Sequence, residues 1–325
     1  MKNIKFGVFL PTGNFAEAKA AALQAEQDGF FSVSTNDHFF SPLGTHDTPQ
    51  LECFTSLTAI AALTDTIRLA PSVVAASFRS PALLAKITST LDQVSDGRFI
   101  LGIGAGWFDK EYLAHGYPFP STPERLARLE ETVQIVKAMW CDDEPTFRGK
   151  YFAIDKALNH PRPVQQPHPP LMLGGSGTGL LKIAAAHADI LNMIPPTSNG
   201  KDFVNDPGAT VRFTKAVLGD KIAQLKQFAE AARRDPDAIE LSGFTLVALS
   251  DKAADPMLEG IARQLGFADY ASAQRSPVAL MGTPEQVVEE LQSRIDATGM
   301  TYHIMLPMNP ESYSAFVGQV MPAFK

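Results

Sequence analysis

An aspartate and a histidine stand next to each other at the start of a proline- and glycine-containing loop. Asp37 and His38 follow the apolar run Phe30–Thr35. An imidazole at the exit of a strand can donate to a developing anion or exchange a proton near neutral pH, and a neighbouring carboxylate can enter the same cavity. We therefore treat Asp37 and His38 as candidate catalytic residues, with a simple loop cap as the structural alternative.

A glycine-rich segment, Gly102–Trp107, follows a later apolar run. Its alternating glycines allow a backbone to approach a flat ligand closely. A dinucleotide-binding fingerprint fits poorly, because that motif follows the first strand of its unit and opens a long helix. Here the segment follows the fourth predicted strand and runs into an interrupted stretch that ends at Pro118. We treat Gly104, Ala105, Gly106 and Trp107 as candidate contacts of such a flat ligand.

A second glycine-rich segment joins a predicted strand directly to a predicted helix. It reads Gly174-Gly175-Ser176-Gly177-Thr178. Free N–H groups, a hydroxyl and the positive end of the helix dipole converge there, and phosphate is the usual ligand of such an arrangement. The alternative is a tight turn that needs glycine only for its backbone conformation.

The sequence lacks the residue patterns that metal binding and acyl transfer require. Cys53 and Cys141 are far apart, and the histidines show no metal-ligand spacing, so we expect no metal site. No Gly-x-Ser-x-Gly elbow or Cys-His arrangement indicates acyl transfer. A metal-dependent barrel hydrolase would need histidines and aspartates clustered at strand ends, which this pattern does not provide. We expect His187, on an alanine-rich helix, to be structural.

The acidic residues of segment 109–131 are expected to lie mostly on a solvated helix face. In the same segment, Arg125 and Arg128 are expected to pair with Glu130 and Glu131.

Glycines and prolines divide the chain into alternating strands and helices. Eight strands are predicted, at Ile4–Leu10, Phe30–Thr35, Ile67–Ala75, Phe99–Ile103, Leu171–Leu173, Asp189–Ile194, Glu240–Leu249 and Tyr302–Leu306. The helices between them are predicted at Phe15–Asp28, Leu51–Ala62, Ser80–Val94, Pro123–Trp140, Leu180–His187, Ala209–Arg233 and Pro284–Thr298. Segment 251–282 is expected to be irregular with some helix, and short strands are expected near Phe147 and Tyr151–Ile154.

Strands without a polar face indicate a parallel sheet covered by helices. Eight units in one chain of 325 residues without a flexible linker favour a closed (β/α)₈ TIM barrel with insertions in its βα loops, as a single domain over residues 1–325. In that fold the loops after the strands carry the chemistry.

The composition restricts the partners. Apolar residues make up 45% of the chain and the formal net charge is −7, which gives no long-range attraction to nucleic acid or to anionic lipid. No apolar run approaches the ~18 residues that would span a bilayer. The first residues lack the pattern of a signal peptide, so we expect a cytoplasmic protein with a small-molecule substrate.

Taken together, these loops resemble the bacterial-luciferase-like family of flavin- and deazaflavin-dependent enzymes over nearly the whole chain. The segments that carry the resemblance are Leu91–Phe99, Leu101–Trp107, Glu111-Tyr112, Pro161–Gln165, Pro167–Pro170, Leu173–Gly177, Ala188-Asp189 and Gly282–Glu285. The resemblance implies a non-prolyl cis peptide between Ser72 and Val73, which would support one face of the flavin-like ring. From the residue pattern alone, that segment is a buried strand of small residues.

Within the family, Asp37-His38-Phe39 resembles the branch that uses coenzyme F420, a deazaflavin hydride carrier. The luciferase and alkane-monooxygenase branches tend to have a glutamate before this histidine and often an arginine where this chain has Ala105. Some F420 enzymes of the family place a tryptophan shortly after the histidine and a glutamate in the fourth-strand loop. This chain has Phe40, Ser41 and Pro42, then Trp107, which argues against sugar-phosphate dehydrogenase chemistry.

The resemblance implies that F420 exchanges hydride with a small organic substrate while His38 handles the proton. It also implies that Asp37 contacts the cofactor, because Asp37 and His38 would both reach the edge of its ring. FMN with dioxygen as second substrate is the alternative cofactor, since a phosphate loop serves both cofactors. A non-catalytic flavin-binding family member is a third possibility, against which the Asp37-His38 pair counts. Loops 36–50, 141–170, 195–208 and 251–280 would shape the substrate pocket, and family analogy implies a homodimer.

Overall fold

The computed structural model describes residues 3–41, 45, 47–195, 207–253 and 255–324, and strands and helices alternate along them. The strands are β1 (Lys5–Phe9), β2 (Ser32–Ser34), β3 (Arg68–Leu69), β4 (Val74–Ala75), β5 (Leu101–Gly104), β6 (Phe147–Arg148), β7 (Ala153–Ile154), β8 (Leu171–Gly174), β9 (Ile190–Met193), β10 (Glu240–Leu249), β11 (Ala279–Gly282) and β12 (Tyr302–Pro307). The α-helices are α1 (Phe15–Asp28), α2 (Cys53–Ala61), α3 (Pro81–Val94), α4 (Asp109–Ala114), α5 (Thr122–Cys141), α6 (Thr178–His187), α7 (Pro207–Arg212), α8 (Lys215–Ala231), α9 (Pro256–Gln264), α10 (Tyr270–Gln274), α11 (Pro284–Thr298) and α12 (Pro310–Ala315).

Short helical turns complete the secondary structure of the described residues. They are the 3₁₀ turns Ala76–Phe78, Pro236–Ala238 and Met321–Phe324 and the π-helical turn Phe316–Val320.

Local sequence explains where several helices begin and end. The side chain of Asn14 accepts a hydrogen bond from the N–H of Glu17 at the start of α1, and Gly29 ends that helix with a φ of 82°. Ser80 caps α3 in the same way, with Pro81 in the first turn. These helix boundaries agree with the predicted ones because they depend on neighbouring residues only.

The chain divides into two compact units, of which the first comprises residues 10–174 and 187–189. In this N-terminal unit β2 pairs with β3, β4 with β5 and β5 with β8, all in parallel. An isolated parallel bridge joins Leu69 to Phe99. Because parallel strands end at the same edge of a sheet, residues 35–38, 105–107 and 174 leave their strands in one direction.

The C-terminal unit comprises residues 1–9, 175–186 and 190–325, of which the structure describes the parts given above. Its strands also pair in parallel: β12 lies between β1 and β10, and β10 also pairs with β9 and β11. The longest strand, β10, has the predicted bounds Glu240–Leu249.

All eight predicted strands are present, and three predictions need correction. The third predicted strand is interrupted and forms β3 and β4. The helix predicted at Ala209–Arg233 is two helices, α7 and α8, and Thr214 caps the second. Segment 251–282, predicted to be irregular, contains β11, which pairs with residues 246–249 of β10.

The two short strands expected near Phe147 and Tyr151–Ile154 form the antiparallel pair β6 and β7. Among the helices of the described residues, none combines the length and the apolar character that a membrane crossing requires.

Candidate active site

His38 is held by a buried carboxylate. Its Nδ1 lies 2.9 Å from Oε2 of Glu111, whose side chain is only 1% exposed. The other carboxylate oxygen, Oε1, accepts the backbone N–H of Phe39 at 2.5 Å. A carboxylate can only accept, so the imidazole carries its proton on Nδ1 and leaves Nε2 to face other groups. The pair therefore sets both the orientation and the tautomer of the imidazole.

Glu111 is a residue of the candidate site that sequence reasoning missed. It lies in α4, in the segment predicted to be a solvated acidic face, and the structure corrects that prediction because this carboxylate is buried. Burial of a carboxylate is tolerated where hydrogen bonds compensate for lost hydration. The one indication in the sequence was that Glu111 belongs to a segment that carries the family resemblance. Because 73 residues separate it from His38, the sequence gave no sign that the two side chains are in contact.

Aromatic side chains surround the imidazole of His38. The Trp107 ring meets it edge to face, with centroids 5.5 Å apart, and Phe108 lies 6.2 Å away. Trp107 and Phe108 stack on each other at 4.9 Å. The structure thus brings the predicted cofactor contact Trp107 next to the predicted catalytic histidine.

Asp37 is buried and paired with an arginine. Its carboxylate is 7% exposed and receives two hydrogen bonds from Arg79, at 2.7 and 2.9 Å, and one from the N–H of Ala75 at 3.1 Å. Burial by itself lowers the pKa of Arg79, but its hydrogen bonds and charge interactions with Asp37 and Glu52 outweigh burial and raise that pKa. A direct catalytic role for Asp37 stays a prediction, and these contacts favour a positioning role.

The peptide between Ser72 and Val73 is cis, as the family resemblance implies. Both residues are half-buried, and the Val73 side chain packs against two of the predicted glycines. A Cβ added at Gly174 would lie 2.8 Å from Cγ1 of Val73, and one at Gly104 would lie 3.0 Å from Cγ2. These glycines are therefore required by packing against Val73, in addition to any contact with a ligand.

Gly106 is constrained by Tyr112. Its φ is +79°, and an added Cβ would lie 1.8 Å from the Tyr112 hydroxyl oxygen. That hydroxyl donates to Oγ of Ser77 at 3.3 Å, and burial raises the pKa of Tyr112 to about 12. Ala105, between Gly104 and Gly106, is half-buried. The first glycine-rich segment, Gly102–Trp107, thus has a structural reason for at least one of its glycines.

The predicted phosphate loop lies in the C-terminal unit at the start of α6. Gly175 has a φ of +138°, and its N–H donates to the carbonyl of Asn192 at 2.9 Å. Ser176 is buried, and its hydroxyl donates to the carbonyl of Ile194, so it is already engaged within the protein. Gly177 and Thr178 are exposed, and a Cβ at Gly177 would meet nothing within 4 Å. The open part of the loop is therefore Gly177–Thr178.

A cavity of about 250 Å³ adjoins Arg79 in the N-terminal unit. Phe78, Tyr117 and Phe152 contribute aromatic walls. Phe152 belongs to the segment 141–170, one of the loops predicted to shape the substrate pocket. Residues 42–44, 46, 196–206 and 254 of the other predicted loops lie outside the described residues.

The two arginines of α5 have partners other than those predicted. Arg128 pairs with Glu124 at 2.8 Å. Arg125 is buried, donates to the carbonyl of Pro120 at 2.6 Å and lies over the ring of Phe119. Both predicted pairings are therefore wrong.

The two glutamates predicted for those pairings also have other contacts. Oε1 of Glu130 lies 3.6 Å from Nε2 of His187, and Glu131 accepts backbone N–H groups of residues 150–152. In the described part of the chain, no three histidine, cysteine, aspartate or glutamate side chains are grouped so that they could hold a metal ion.

Solved structures of the same fold cover almost the whole chain. An F420-dependent secondary alcohol dehydrogenase in complex with an F420–acetone adduct aligns with a TM-score of 0.80 and 20% identity, over 99% of each chain. The fold class is a luciferase-like (β/α)₈ barrel, as predicted. The sequence model of the family of luciferase-like monooxygenases matches residues 4–275. The chain belongs to this family of oxidoreductases.

Curated relatives use both predicted cofactors. An F420-dependent glucose-6-phosphate dehydrogenase of Kineococcus radiotolerans is 36% identical over 189 residues, 57% of this chain, and the chain spans only 55% of that relative's length. An FMNH₂-dependent dimethylsulfone monooxygenase of Pseudomonas putida is 27% identical over 284 residues, which is 82% of this chain and 76% of the relative.

Proposed function

We propose that this protein is an F420-dependent oxidoreductase that transfers hydride to or from a small organic substrate, with His38 as its proton donor or acceptor. The observation that carries the proposal is the His38–Glu111 pair, in which a buried carboxylate holds the imidazole beside Trp107. Such a pair is the usual means of presenting one imidazole nitrogen to a reacting group in a fixed tautomer.

Residues of the N-terminal unit fit the flat ring of such a cofactor. Ser72, Val73, Gly104, Ala105, Gly106, Trp107 and Gly174 are the residues proposed to contact the ring. Apart from the buried Gly104, they are half-buried, so each leaves some surface available to a ligand. Val73 is in contact range of two of the glycines, which offers a small, apolar support for one ring face.

The phosphate would bind the loop of Gly175, Ser176, Gly177 and Thr178. The first N–H groups of α6 have no acceptor within the helix, and the space over Gly177 is open. Since the Ser176 hydroxyl donates to Ile194, the backbone of this loop and the exposed Thr178 hydroxyl are the better phosphate ligands.

The bound cofactor supplies the hydride chemistry at its ring. The protein supplies proton handling at Nε2 of His38, because Nδ1 is committed to Glu111. When the substrate is an alcohol, Nε2 accepts the hydroxyl proton as hydride leaves the carbon, and the imidazolium that forms is stabilised by the Glu111 carboxylate. In the reverse direction Nε2 returns that proton. Trp107 and Phe108 exclude water from one side of the imidazole.

The alternative is an FMNH₂-dependent monooxygenase, and one finding favours it. The dimethylsulfone monooxygenase matches a larger share of this chain than the F420-dependent relative does. In that case the same residues would hold the reduced flavin and dioxygen would be the second substrate. A non-catalytic flavin-binding role is disfavoured by the intact His38–Glu111 pair.

Titration of the purified protein with F420, FMN and FMNH₂, followed by fluorescence and absorbance, tests the cofactor. Tight binding of F420 supports the proposal, and tight binding of FMN or FMNH₂ without F420 binding refutes it in favour of the alternative. His38→Ala should retain cofactor binding and lose most of the turnover. Unchanged turnover would remove His38 from the mechanism.

We further propose that residues 1–325 act as one domain in a cytoplasmic homodimer. The family match over residues 4–275 includes parts of both compact units, which supports a single functional domain. Size-exclusion chromatography with light scattering tests the dimer, and a monomeric mass at micromolar concentration would contradict it.

A further inference from the structure

One buried carboxylate connects the residue stretch after β2 to the end of β4. Asp37 follows β2, and its Oδ2 accepts the N–H of Ala75, in β4. The same oxygen and Oδ1 accept two hydrogen bonds from Arg79, four residues further on. The segment 75–79 is therefore attached to Asp37 at both of its ends, through the 3₁₀ turn Ala76–Phe78.

The guanidinium of Arg79 is itself fixed on its other sides. Nη2 donates to Oε1 of Glu52 at 2.7 Å, and the guanidinium carbon lies 4.7 Å from the centre of the Phe54 ring. Glu52 also caps α2 by accepting the N–H of Thr55. Arg79 thus joins the start of α2 to the carboxylate of Asp37, with its side chain only 14% exposed.

We propose that Arg79 is a positioning residue that acts through Asp37. By holding the Asp37 carboxylate, Arg79 keeps the segment Ser72–Ala75 at a fixed place relative to His38, which directly follows Asp37 in the chain. The consequence for the cofactor rests on the proposed function, because only there does Ser72–Val73 support the ring. The mechanical part of the proposal does not depend on any cofactor.

The geometry explains why an arginine is needed at this position. A planar guanidinium can donate to both oxygens of Asp37 and to Glu52 at once, whereas a lysine ammonium is a point charge with less directional donors. Without the guanidinium, the Asp37 carboxylate would be buried with only the Ala75 N–H as a partner, and it would have to attract water or a proton. The bond to Ala75 would then be weakened.

Hydrogen exchange measured by mass spectrometry on the full-length protein without cofactor tests the mechanical part. Arg79→Gln should increase exchange in peptides covering residues 72–79 by roughly tenfold, and Arg79→Lys should give a smaller increase. Arg162→Gln is the matched control, since Arg162 lies in the same unit and pairs with the exposed Asp143. If Arg79→Gln does not yield folded protein, Arg79→Lys carries the test. Unchanged exchange in both Arg79 variants would overturn the proposal.

Cofactor titration tests the consequence. Asp37→Asn and Arg79→Gln should each raise the Kd of F420 by roughly tenfold. The double variant should bind F420 no more weakly than the single variant with the higher Kd, because both substitutions act through one contact. Independent, additive effects would overturn the assignment of Arg79 to Asp37. Unchanged affinity in variants with raised exchange would overturn its role for the cofactor.

The two tests separate this proposal from the proposed function. If the wild-type protein binds neither F420 nor FMNH₂, the proposed function fails, and with it the role of Arg79 in cofactor binding. The exchange experiment then still decides whether Arg79 holds the segment 72–79 through Asp37.

Discussion

His303 is a buried histidine whose replacement should change how stability depends on pH. It lies in β12 with 0% exposure, and among the described residues neither ring nitrogen makes a well-formed hydrogen bond, although the backbone of Met300 interacts with the ring. Burial, and secondarily the positive charge of Arg294, lower its pKa from 6.5 to about 3. The ring therefore stays neutral in the folded protein at pH values where it is protonated in the unfolded chain.

The sign and size of the effect follow from this difference in pKa. Between pH 6.5 and pH 3 the unfolded chain binds more protons at this histidine, so acid favours unfolding. A single group with these two pKa values reduces the free energy of unfolding by about 0.2 kcal/mol at pH 7 and by about 2 kcal/mol at pH 5. His303→Leu removes this contribution, and it also removes two buried nitrogens that lack well-formed hydrogen bonds, at a similar side-chain volume. We expect the variant to be at least as stable as the wild type at pH 7.

Urea unfolding followed by circular dichroism at pH 7, 6 and 5 measures the effect. The difference in unfolding free energy between His303→Leu and wild type should grow by about 2 kcal/mol from pH 7 to pH 5. His160→Gln is the matched control, because it replaces a histidine that is exposed to solvent instead of buried. A His303→Leu difference that does not vary with pH would refute the conclusion that the fold keeps this imidazole neutral.

Three further outcomes concern the predicted site. Glu111→Gln should lower turnover by roughly 10²-fold with cofactor affinity retained, because His38 and the N–H of Phe39 each use a different carboxylate oxygen and an amide offers only one oxygen; wild-type turnover in this variant would contradict the role of the pair. Gly106→Ala should lower the free energy of unfolding by about 2 kcal/mol, since its Cβ would collide with Tyr112 at a positive φ; thermal melting measures the loss, and an unchanged melting temperature would count against this constraint. Gly177→Glu should leave the melting temperature unchanged but weaken cofactor binding by roughly tenfold, because a carboxylate would repel phosphate at the start of α6; calorimetric titration checks this, and an unchanged Kd would argue against the phosphate site.

Local sequence patterns were sufficient for most of the secondary structure. The strand Glu240–Leu249 and the boundaries of α1, α3 and α11 follow from apolar runs, caps and glycines within a few residues of one another. The strand Ala279–Gly282 was missed because four apolar residues have no periodicity of their own. Only its parallel pairing with β10 identifies it as a strand.

The residues of the candidate site also fall into two groups: those that the sequence indicated and those that only the structure identified. Residue type and position after a strand were enough to single out Asp37, His38 and the glycine-rich loops, and family resemblance indicated the cis peptide at Ser72–Val73. The sequence could not show which carboxylate or arginine would meet them. Glu111 reaches His38 across 73 residues and Arg79 reaches Asp37 across 42, so both contacts exist only because the chain brings distant segments together. Sequence by itself determined the candidate side chains, and the tertiary structure decided their partners, since hydrogen bonds between buried groups depend on distance in space and not along the chain.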